Sequence, residues 1–206
     1  MPAKPSASSY VEHLSKDKKL KPLVEANPSL KLKKHNNICL HLCASIMSQQ
    51  LSTKVAQVIY RRFLELYGGE EPTPEQIVKT PFAKLRGIGL SNAKVNYVQN
   101  VAQYALDHGM EDKKLFKMSN EEVLDFLIPI KGVGKWTVEM QLMFALGRED
   151  VFAVDDLGIQ IAMSKIYKID MADKKAMKEK MLKLSAKLSP YRTYACMLLW
   201  RYKDGG

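Results

Sequence analysis

The sequence predicts an all-α fold, and three observations support this prediction. Apolar residues recur at helical spacing along nearly the whole chain. Residues that favour helix N-termini stand where several of these periodic segments begin. One strand-like run, VFAV at 151–154, is too short and too isolated to form a sheet. Residues 1–9 are rich in Pro, Ser and Ala, and we expect them to form a flexible lead-in.

The helical pattern divides into ten segments in chain order. Ser52 is a good N-cap for the third segment, and Ser119 with Glu122 three residues later forms a capping box. Ser189 followed by Pro190 predicts another start, because Pro favours the first helical turn. The predicted helices span 9–27, 36–50, 52–67, 73–79, 91–108, 119–128, 134–146, 155–167, 171–188 and 189–202.

Two of the predicted helices are apolar on nearly all sides, which is typical of helices in a protein interior. They contain ICLHLCASIM at 38–47 and VEMQLMFALG at 138–147. The sequence contains no internal repeat and no long linker, so we expect two interleaved lobes rather than two domains in series. The first lobe is expected at about 36–128, and the second is expected to combine about 10–35 with 129–206.

The balance of charges favours an anionic partner. Lysine and arginine number 32 against 22 acidic residues, and the formal net charge is +10, so nucleic acid is the first candidate. The three cysteines, Cys39, Cys43 and Cys196, do not form a disulfide framework, which favours an intracellular location in the cytoplasm, nucleoid or nucleus. No run approaches the roughly 20 apolar residues of a membrane span. We expect a monomer that does not bind membranes.

The stretch LIPIKGVGKWTVE at 127–139 predicts a helix-hairpin-helix motif with a glycine-containing turn before its second helix. A helix N-terminus presents backbone N–H groups, and glycine lets a phosphate oxygen approach them closely. Lys135 adds a cation at the same place. The turn is therefore a candidate for sequence-independent binding of a DNA phosphate, and a simple tight turn between helices is the alternative. The candidate DNA-binding residues of this motif are Lys131, Gly132, Val133, Gly134, Lys135 and Thr137.

The backbone of the same turn is a candidate site for a monovalent cation. Carbonyl groups in such a turn can point away from the helix amides and hold Na⁺ or K⁺, which would screen a bound phosphate. The candidate ligands are the carbonyl groups of Ile128, Ile130 and Val133. We expect no other cofactor to be required.

Three further patterns have plainer interpretations. LRGIGLSNAK at 85–94 repeats the glycine spacing more loosely and is interpreted as a turn between helices. His35, Cys39 and Cys43 recur every four residues, but a fourth metal ligand at suitable spacing is missing, so core packing is favoured. The lysines of 16–34 are interpreted as a solvated face, with DNA contact as the alternative.

Four stretches together resemble a known family. They are IMSQQLS at 46–52, KGVGKWT at 131–137, DVFAVDDLG at 150–158 and SPYRTYACMLLW at 189–200. Their order and spacing are similar to those of the helix-hairpin-helix (HhH-GPD) DNA glycosylases, and most similar to the alkylated-base group that includes bacterial 3-methyladenine DNA glycosylase II. The resemblance implies one glycosylase unit over 10–206.

The resemblance identifies Asp156, twenty residues after Trp136, as the catalytic aspartate. The family breaks the bond between base and deoxyribose through a sugar with oxocarbenium character. A carboxylate beside that sugar can stabilise the positive charge or help to activate water. Without the resemblance, Asp155 and Asp156 would both be interpreted as helix-capping residues. We expect Asp155 to act mainly through capping.

The resemblance also places Trp136, Met140 and Trp200 in the pocket for a flipped-out base. The methylated purines 3-methyladenine and 7-methylguanine carry positive charge, which favours contact with an indole face. Ordinary core packing is the alternative for both tryptophans. Family members that also cut the DNA strand carry a lysine nucleophile where this sequence has Trp136, so a monofunctional enzyme is implied.

Two glutamines follow the first apolar helix. By resemblance, Gln50 is the residue that fills the gap left by the flipped base, and Gln49 is expected to contact the opposite strand. Polar residues at a helix end are common, so a purely local role is the alternative.

The predicted function is excision of 3-methyladenine and 7-methylguanine from double-stranded DNA with damaged bases, as part of base excision repair. Two other functions stay open: a non-catalytic helix-hairpin-helix DNA-binding module and a glycosylase with strand-cutting lyase activity. Asp156 argues against the first, because a DNA binder does not need a carboxylate near a polyanion. Trp136 argues against the second.

Overall fold

The computed structural model describes residues 7–205, and the regular secondary structure in this part of the chain is helical, without a strand, so the all-α prediction is confirmed. The helices, numbered in chain order, are α1 (Ala7–Leu14), α2 (Lys21–Ala26), α3 (Ile38–Ser48), α4 (Thr53–Glu65), α5 (Pro74–Lys79), α6 (Phe82–Gly87), α7 (Asn92–His108), α8 (Asp112–Lys117), α9 (Asn120–Leu127), α10 (Lys135–Phe144), α11 (Leu157–Tyr167), α12 (Lys174–Ala186) and α13 (Arg192–Asp204).

The first predicted helix is interrupted, which the periodicity did not show. The Asp17 carboxylate accepts hydrogen bonds from the backbone N–H groups of Lys19 and Leu20, at 2.8 and 3.2 Å, and so closes a turn between α1 and α2. Pro22 then lies in the first turn of α2, where its missing N–H is tolerated. Because α1 begins at Ala7, residues 7–9 are helical rather than flexible, and the rest of the expected lead-in lies outside the described residues.

Helices α6 and α8 were not predicted. Each has six residues, fewer than two turns, so its apolar positions are too few to show a period. The predicted start at Ser189 is wrong as well. Helix α13 begins at Arg192, and the Ser189 hydroxyl donates to the Asp150 carboxylate at 2.7 Å instead of capping a helix.

The other predicted N-termini are confirmed by hydrogen bonds. The Ser52 side chain accepts from Val55 N at 3.4 Å, and Ser119 and Glu122 form the expected capping box. Thr73 and Gln76 form a second capping box, at the start of α5.

The described residues divide into two compact units. Residues 34–146 form one, here called the inserted unit, and residues 7–33 and 147–205 form the other, here called the terminal unit. The division falls after α10. The hairpin and the helix that follows it therefore belong to the inserted unit, and not to the other lobe as the sequence predicts.

The core of the inserted unit is built around α3, which packs against α4, α7 and α10. Helices α3 and α10 are the two apolar helices of the sequence, and both are largely buried, as predicted. Cys39 and Cys43 are buried in this core. The Cys43 thiol donates to Val98 O at 3.8 Å, and a hydrogen bond with Cys39 together with burial raises the pKa of that thiol.

In the terminal unit, α13 packs against α11 and α2. The Tyr10 ring of α1 stacks on Tyr194 of α13, with 4.3 Å between ring centroids. The Tyr10 hydroxyl donates to Asn27 O at 3.0 Å and accepts from Leu30 N at 2.8 Å, so this buried phenol is satisfied. Within residues 7–205, none of the helices is both long and apolar enough to cross a bilayer.

Candidate active site

A buried, irregular segment leads into α11. It contains the buried VFAV run at 151–154, whose backbone hydrogen bonds do not go to a neighbouring strand: side chains of α13 bond Val151, and Val154 N donates to Phe152 O at 3.1 Å within the run. Val151 N donates to the Thr193 hydroxyl at 3.1 Å, and that hydroxyl in turn donates to Arg148 O at 2.7 Å. The Cys196 thiol lies 3.8 Å from Val151 O. The start of the segment is therefore held to α13 at Val151.

The segment begins at an ion pair. The Arg192 guanidinium binds both oxygens of the Asp150 carboxylate, at 2.6 Å from Nε and 2.9 Å from Nη2. Partial burial opposes ionisation of this carboxyl group, but the hydrogen bonds from Arg192 and Ser189 outweigh it and lower the pKa of Asp150. A charged Asp150 thus fixes the start of the segment on the first turn of α13.

The segment ends at Asp156, the predicted catalytic aspartate. Asp156 is the N-cap of α11, and its Oδ1 accepts a hydrogen bond from Ile159 N at 2.9 Å. The same oxygen accepts a second hydrogen bond, at 2.8 Å, from the indole N–H of Trp200. A Cβ on Gly158 would lie 3.1 Å from both Asp156 Oδ1 and Trp200 Cδ1, so glycine keeps this contact close. The half-buried carboxylate is held from two directions.

Sequence reasoning placed Trp200 in a base pocket and missed its hydrogen bond to Asp156. A signal was present in the spacing, because residues three, four and seven apart lie on one face of a helix. Thr193, Cys196 and Trp200 form such a series on α13, and each contacts the segment that ends at Asp156.

The neighbouring carboxylate has a different role from the one predicted. The capping expected of Asp155 is performed by Asp156. Asp155 is exposed and forms an ion pair with Lys178 of α12. At this exposure an ion pair contributes little to stability.

The two glycines of the hairpin before α10 have different structural roles. Gly132 has φ +104°, and a Cβ there would lie 2.2 Å from Cγ of Tyr97 on α7, so this glycine is required by the turn and by Tyr97. Gly134 is the N-cap of α10, provides no capping side chain and faces open space. Only Gly134 therefore has the position expected of a glycine that admits a phosphate oxygen to the helix N-terminus.

The other hairpin residues differ in exposure. Lys131 is exposed, and its carbonyl accepts from the Asn100 amide at 3.2 Å. Lys135 is exposed, with its ammonium 3.9 Å from the carboxylate of Glu139. The Thr137 side chain is buried, so contact of Thr137 with DNA would have to use its backbone N–H in the first turn of α10.

The carbonyl groups predicted to hold an ion lie in this turn. Ile130 O already accepts a hydrogen bond from Val133 N at 2.9 Å, which uses one of its two lone pairs. The side chain of Ile128 is exposed, whereas those of Ile130 and Val133 are buried.

The predicted base-pocket residues fall into both units. Trp136, with 40% of its surface exposed, and the half-buried Met140 lie one turn apart on α10 of the inserted unit. Trp200 belongs to the terminal unit, together with Asp156.

Gln49 and Gln50 directly follow α3. The C-terminal end of this helix is bound by Lys94, which the sequence did not single out. The Lys94 ammonium donates to Met47 O at 2.9 Å and to Gln49 O at 2.6 Å, and burial lowers the pKa of Lys94. Lys94 is the last residue of LRGIGLSNAK at 85–94, the looser repeat of the glycine spacing, so this stretch supports the C-terminal end of α3. Gln50 is exposed and has φ +58°, an uncommon conformation for a residue other than glycine.

A polar contact also links α3 to the hairpin helix. The Gln141 side chain on α10 is fully buried, and its amide donates to the Ser45 hydroxyl at 2.6 Å. Its other end lies 2.9 Å from His41 Nδ1, and burial lowers the pKa of His41. The Gln49 amide lies 3.4 Å from the Thr137 hydroxyl. The end of α3 and the start of α10 are thereby fixed to one another.

Sequence comparisons identify the family of this chain. A family model described as the HhH-GPD superfamily base excision DNA repair protein matches residues 43–187. The chain belongs to this superfamily. The HhH-GPD chain is 36% identical over 162 residues to DNA-3-methyladenine glycosylase 1 of Schizosaccharomyces pombe, which covers 78% of this chain and 70% of that protein. It is 32% identical over 229 residues to the DNA-3-methyladenine glycosylase of Saccharomyces cerevisiae, covering 92% and 77% respectively.

Solved structures show the same fold. The crystal structure of DNA-3-methyladenine glycosidase from Bacillus halodurans has a TM-score of 0.82 at 31% identity, covering 98% of this HhH-GPD chain and 91% of that one. The S. pombe 3-methyladenine DNA glycosylase in complex with abasic DNA has a TM-score of 0.83 at 32% identity, covering 95% and 96%. The predicted resemblance to alkylated-base glycosylases of the HhH-GPD superfamily is confirmed.

Replacing Gly132 by alanine should destabilise the protein by about 2 to 4 kcal/mol, because the new methyl group would overlap Tyr97 and the positive φ would be strained. Urea unfolding measures this loss. Gly134→Ala is the matched control, since a methyl group there meets open space and its φ is −104°. Equal stability of the two variants would contradict the division of tasks between the glycines.

Replacing Trp200 by phenylalanine should slow base release by about ten- to a hundredfold in single-turnover experiments, because it removes a hydrogen bond to the carboxylate but keeps an aromatic ring. Affinity for abasic DNA should change little. Tyr202→Phe, two residues later on α13, is the control. Weaker binding of methylated duplex DNA, with an unchanged rate of base release once it is bound, would instead support the predicted stacking role.

Proposed function

We propose that this protein is a monofunctional DNA glycosylase that releases 3-methyladenine and 7-methylguanine from double-stranded DNA. The observation that carries the proposal is the Asp156 carboxylate, fixed by Ile159 N and the Trp200 indole at the start of α11. The relatives named as DNA-3-methyladenine glycosylases support the choice of substrate. A non-catalytic DNA-binding module has no use for a carboxylate that is positioned in this way.

The reaction would begin with a flipped-out nucleotide, since a stacked base is inaccessible. A purine methylated at N3 or N7 is cationic, so the electron pair of the breaking C1′–N bond neutralises it and a neutral base departs. The sugar is left with oxocarbenium character, and the fixed Asp156 carboxylate stabilises that charge. Water then adds to C1′ and loses one proton, which leaves an abasic site in an intact strand.

Recognition of the flipped base is assigned to exposed Trp136 and to Met140. The electron-rich indole face of Trp136 would attract a cationic methylpurine, a contribution of roughly 0.5 to 2 kcal/mol. Gln50, which is exposed and has a positive φ, is the proposed wedge in the base stack. Gln49 would contact the opposite strand from its place beside Gln50.

The backbone of DNA would be bound by the hairpin, which presents the amides of the first turn of α10, Gly134 and the exposed Lys131 and Lys135. We also propose that the carbonyl groups of Ile128, Ile130 and Val133 hold Na⁺ or K⁺ when DNA is bound. We expect the protein to act as a monomer on damaged duplex DNA inside the cell.

The proposed chemistry predicts a specific set of products. Incubation with methylated duplex DNA should release free 3-methyladenine and 7-methylguanine and leave the strand unbroken until alkali or heat is applied. Borohydride should trap no covalent complex, because the family's nucleophilic lysine position is filled by Trp136. Chromatography of the released bases and denaturing electrophoresis of the strand measure both results. Efficient trapping would show that a lysine reaches the sugar and would overturn the monofunctional assignment.

The proposed cation predicts a dependence of DNA affinity on the identity of the salt. Replacing K⁺ by tetramethylammonium at equal ionic strength should weaken binding to abasic DNA by roughly three- to tenfold, because backbone carbonyls cannot coordinate a methylated cation. Fluorescence anisotropy at several salt concentrations separates this effect from general screening. Equal affinity in the two salts would show that the hairpin binds DNA without an ion.

A further inference from the structure

A cavity of about 620 Å³ opens in the terminal unit and is unrelated to the site described above. The turn after α1 forms one wall, and the C-terminal ends of α11 and α12 form the others. Tyr167 is the last residue of α11, whereas Asp156 is the N-cap of that helix. The eleven residue steps from Asp156 to Tyr167, at 1.5 Å each, separate them by about 16 Å along α11.

Positive charge surrounds the cavity. Four lysines line it, namely Lys16, Lys18, Lys19 and Lys187, and all four side chains are exposed. Asp17 is the one acidic residue in the lining. Its carboxylate is already used by the fold, since it accepts from the Tyr167 hydroxyl at 2.8 Å and closes the turn between α1 and α2. The lysines therefore dominate the electrostatic potential at the opening.

The floor of the cavity is apolar and aromatic. It is lined by the half-buried Leu184 and by the buried Leu188 and Tyr167 ring. Burial and the hydrogen bond to Asp17 raise the pKa of Tyr167, so the phenol stays neutral. The Lys19 ammonium lies 5.1 Å from the centroid of this ring. An anion paired with Lys19 would therefore lie close to the apolar floor.

We propose that this cavity binds an acidic peptide segment of a partner protein. An apolar side chain of the segment would lie against Leu184, Leu188 and the Tyr167 ring, and flanking carboxylates would pair with the lysines. A duplex DNA backbone satisfies half of this pattern: its phosphates match the lysines, but it has no apolar side chain to fill the floor. The proposal does not depend on the glycosylase function.

Binding of a fluorescein-labelled peptide to the full chain tests the proposal. The probe alternates glutamates with leucine and phenylalanine, and a second probe replaces both apolar residues by serine. The first probe should bind, and the serine probe should bind at least about tenfold more weakly, because it cannot fill the floor. The variant Lys16→Glu/Lys19→Glu should also bind the first probe about tenfold more weakly.

The control Lys84→Glu/Lys113→Glu makes the same change in net charge in the inserted unit and should bind the first probe normally. Base release should be unchanged in the Lys16→Glu/Lys19→Glu variant. The proposal would be overturned if the two probes bound equally well, or if the two double variants lost equal affinity for the first probe. Either result would mean that the peptide binds through general charge attraction. A loss of affinity for undamaged duplex DNA as large as the loss for the peptide would assign the surface to DNA and overturn it as well.

Discussion

The position of the Asp156 carboxylate depends on one face of α13. Thr193, Cys196 and Trp200 follow one another along this face. Thr193 and Cys196 contact Val151 at the start of the segment before α11, and Trp200 contacts Asp156 at its end. The segment has no strand or helix of its own, so these side chains supply hydrogen bonds that regular structure would otherwise provide. Because Asp156 is also the N-cap of α11, a shift of α13 would disturb both the helix start and the proposed catalytic group.

In the inserted unit, polar side chains position the end of α3 in a similar way. Gln141 and Lys94 lie in or beside an apolar core, where a polar group is costly unless it is hydrogen-bonded. Each is satisfied by α3: Gln141 bonds the Ser45 hydroxyl, and Lys94 bonds the carbonyl groups of the last turn. These contacts fix where α3 ends and hence where Gln50 is presented. The residues proposed to bind DNA are thus positioned by hydrogen bonds within the protein.

Much of the fold could be predicted from sequence because the long helices carry clear periodicity and caps, as at Ser52 and Ser119. Short helices such as α6 could not, because six residues are too few to show a period, and the break at Asp17 could not, because it depends on local side-chain hydrogen bonds. The hairpin was recognisable because its turn restricts the residue types, and Asp156 was recognised through the family resemblance, by its spacing from the hairpin. The roles of Trp200, Lys94 and Gly132 were not, because each is defined by a partner distant in sequence.

The measurement that tests the central claim most directly compares Asp156→Asn with Asp155→Asn. An asparagine at 156 can still cap α11, so folding should be retained, but it cannot neutralise the developing charge on the sugar. Single-turnover release of 3-methyladenine should fall by about a thousandfold or more, while affinity for abasic DNA stays equal or increases. Asp155→Asn removes an exposed ion pair and should keep nearly full activity. Base release at a near wild-type rate by Asp156→Asn would contradict the assignment of the active site.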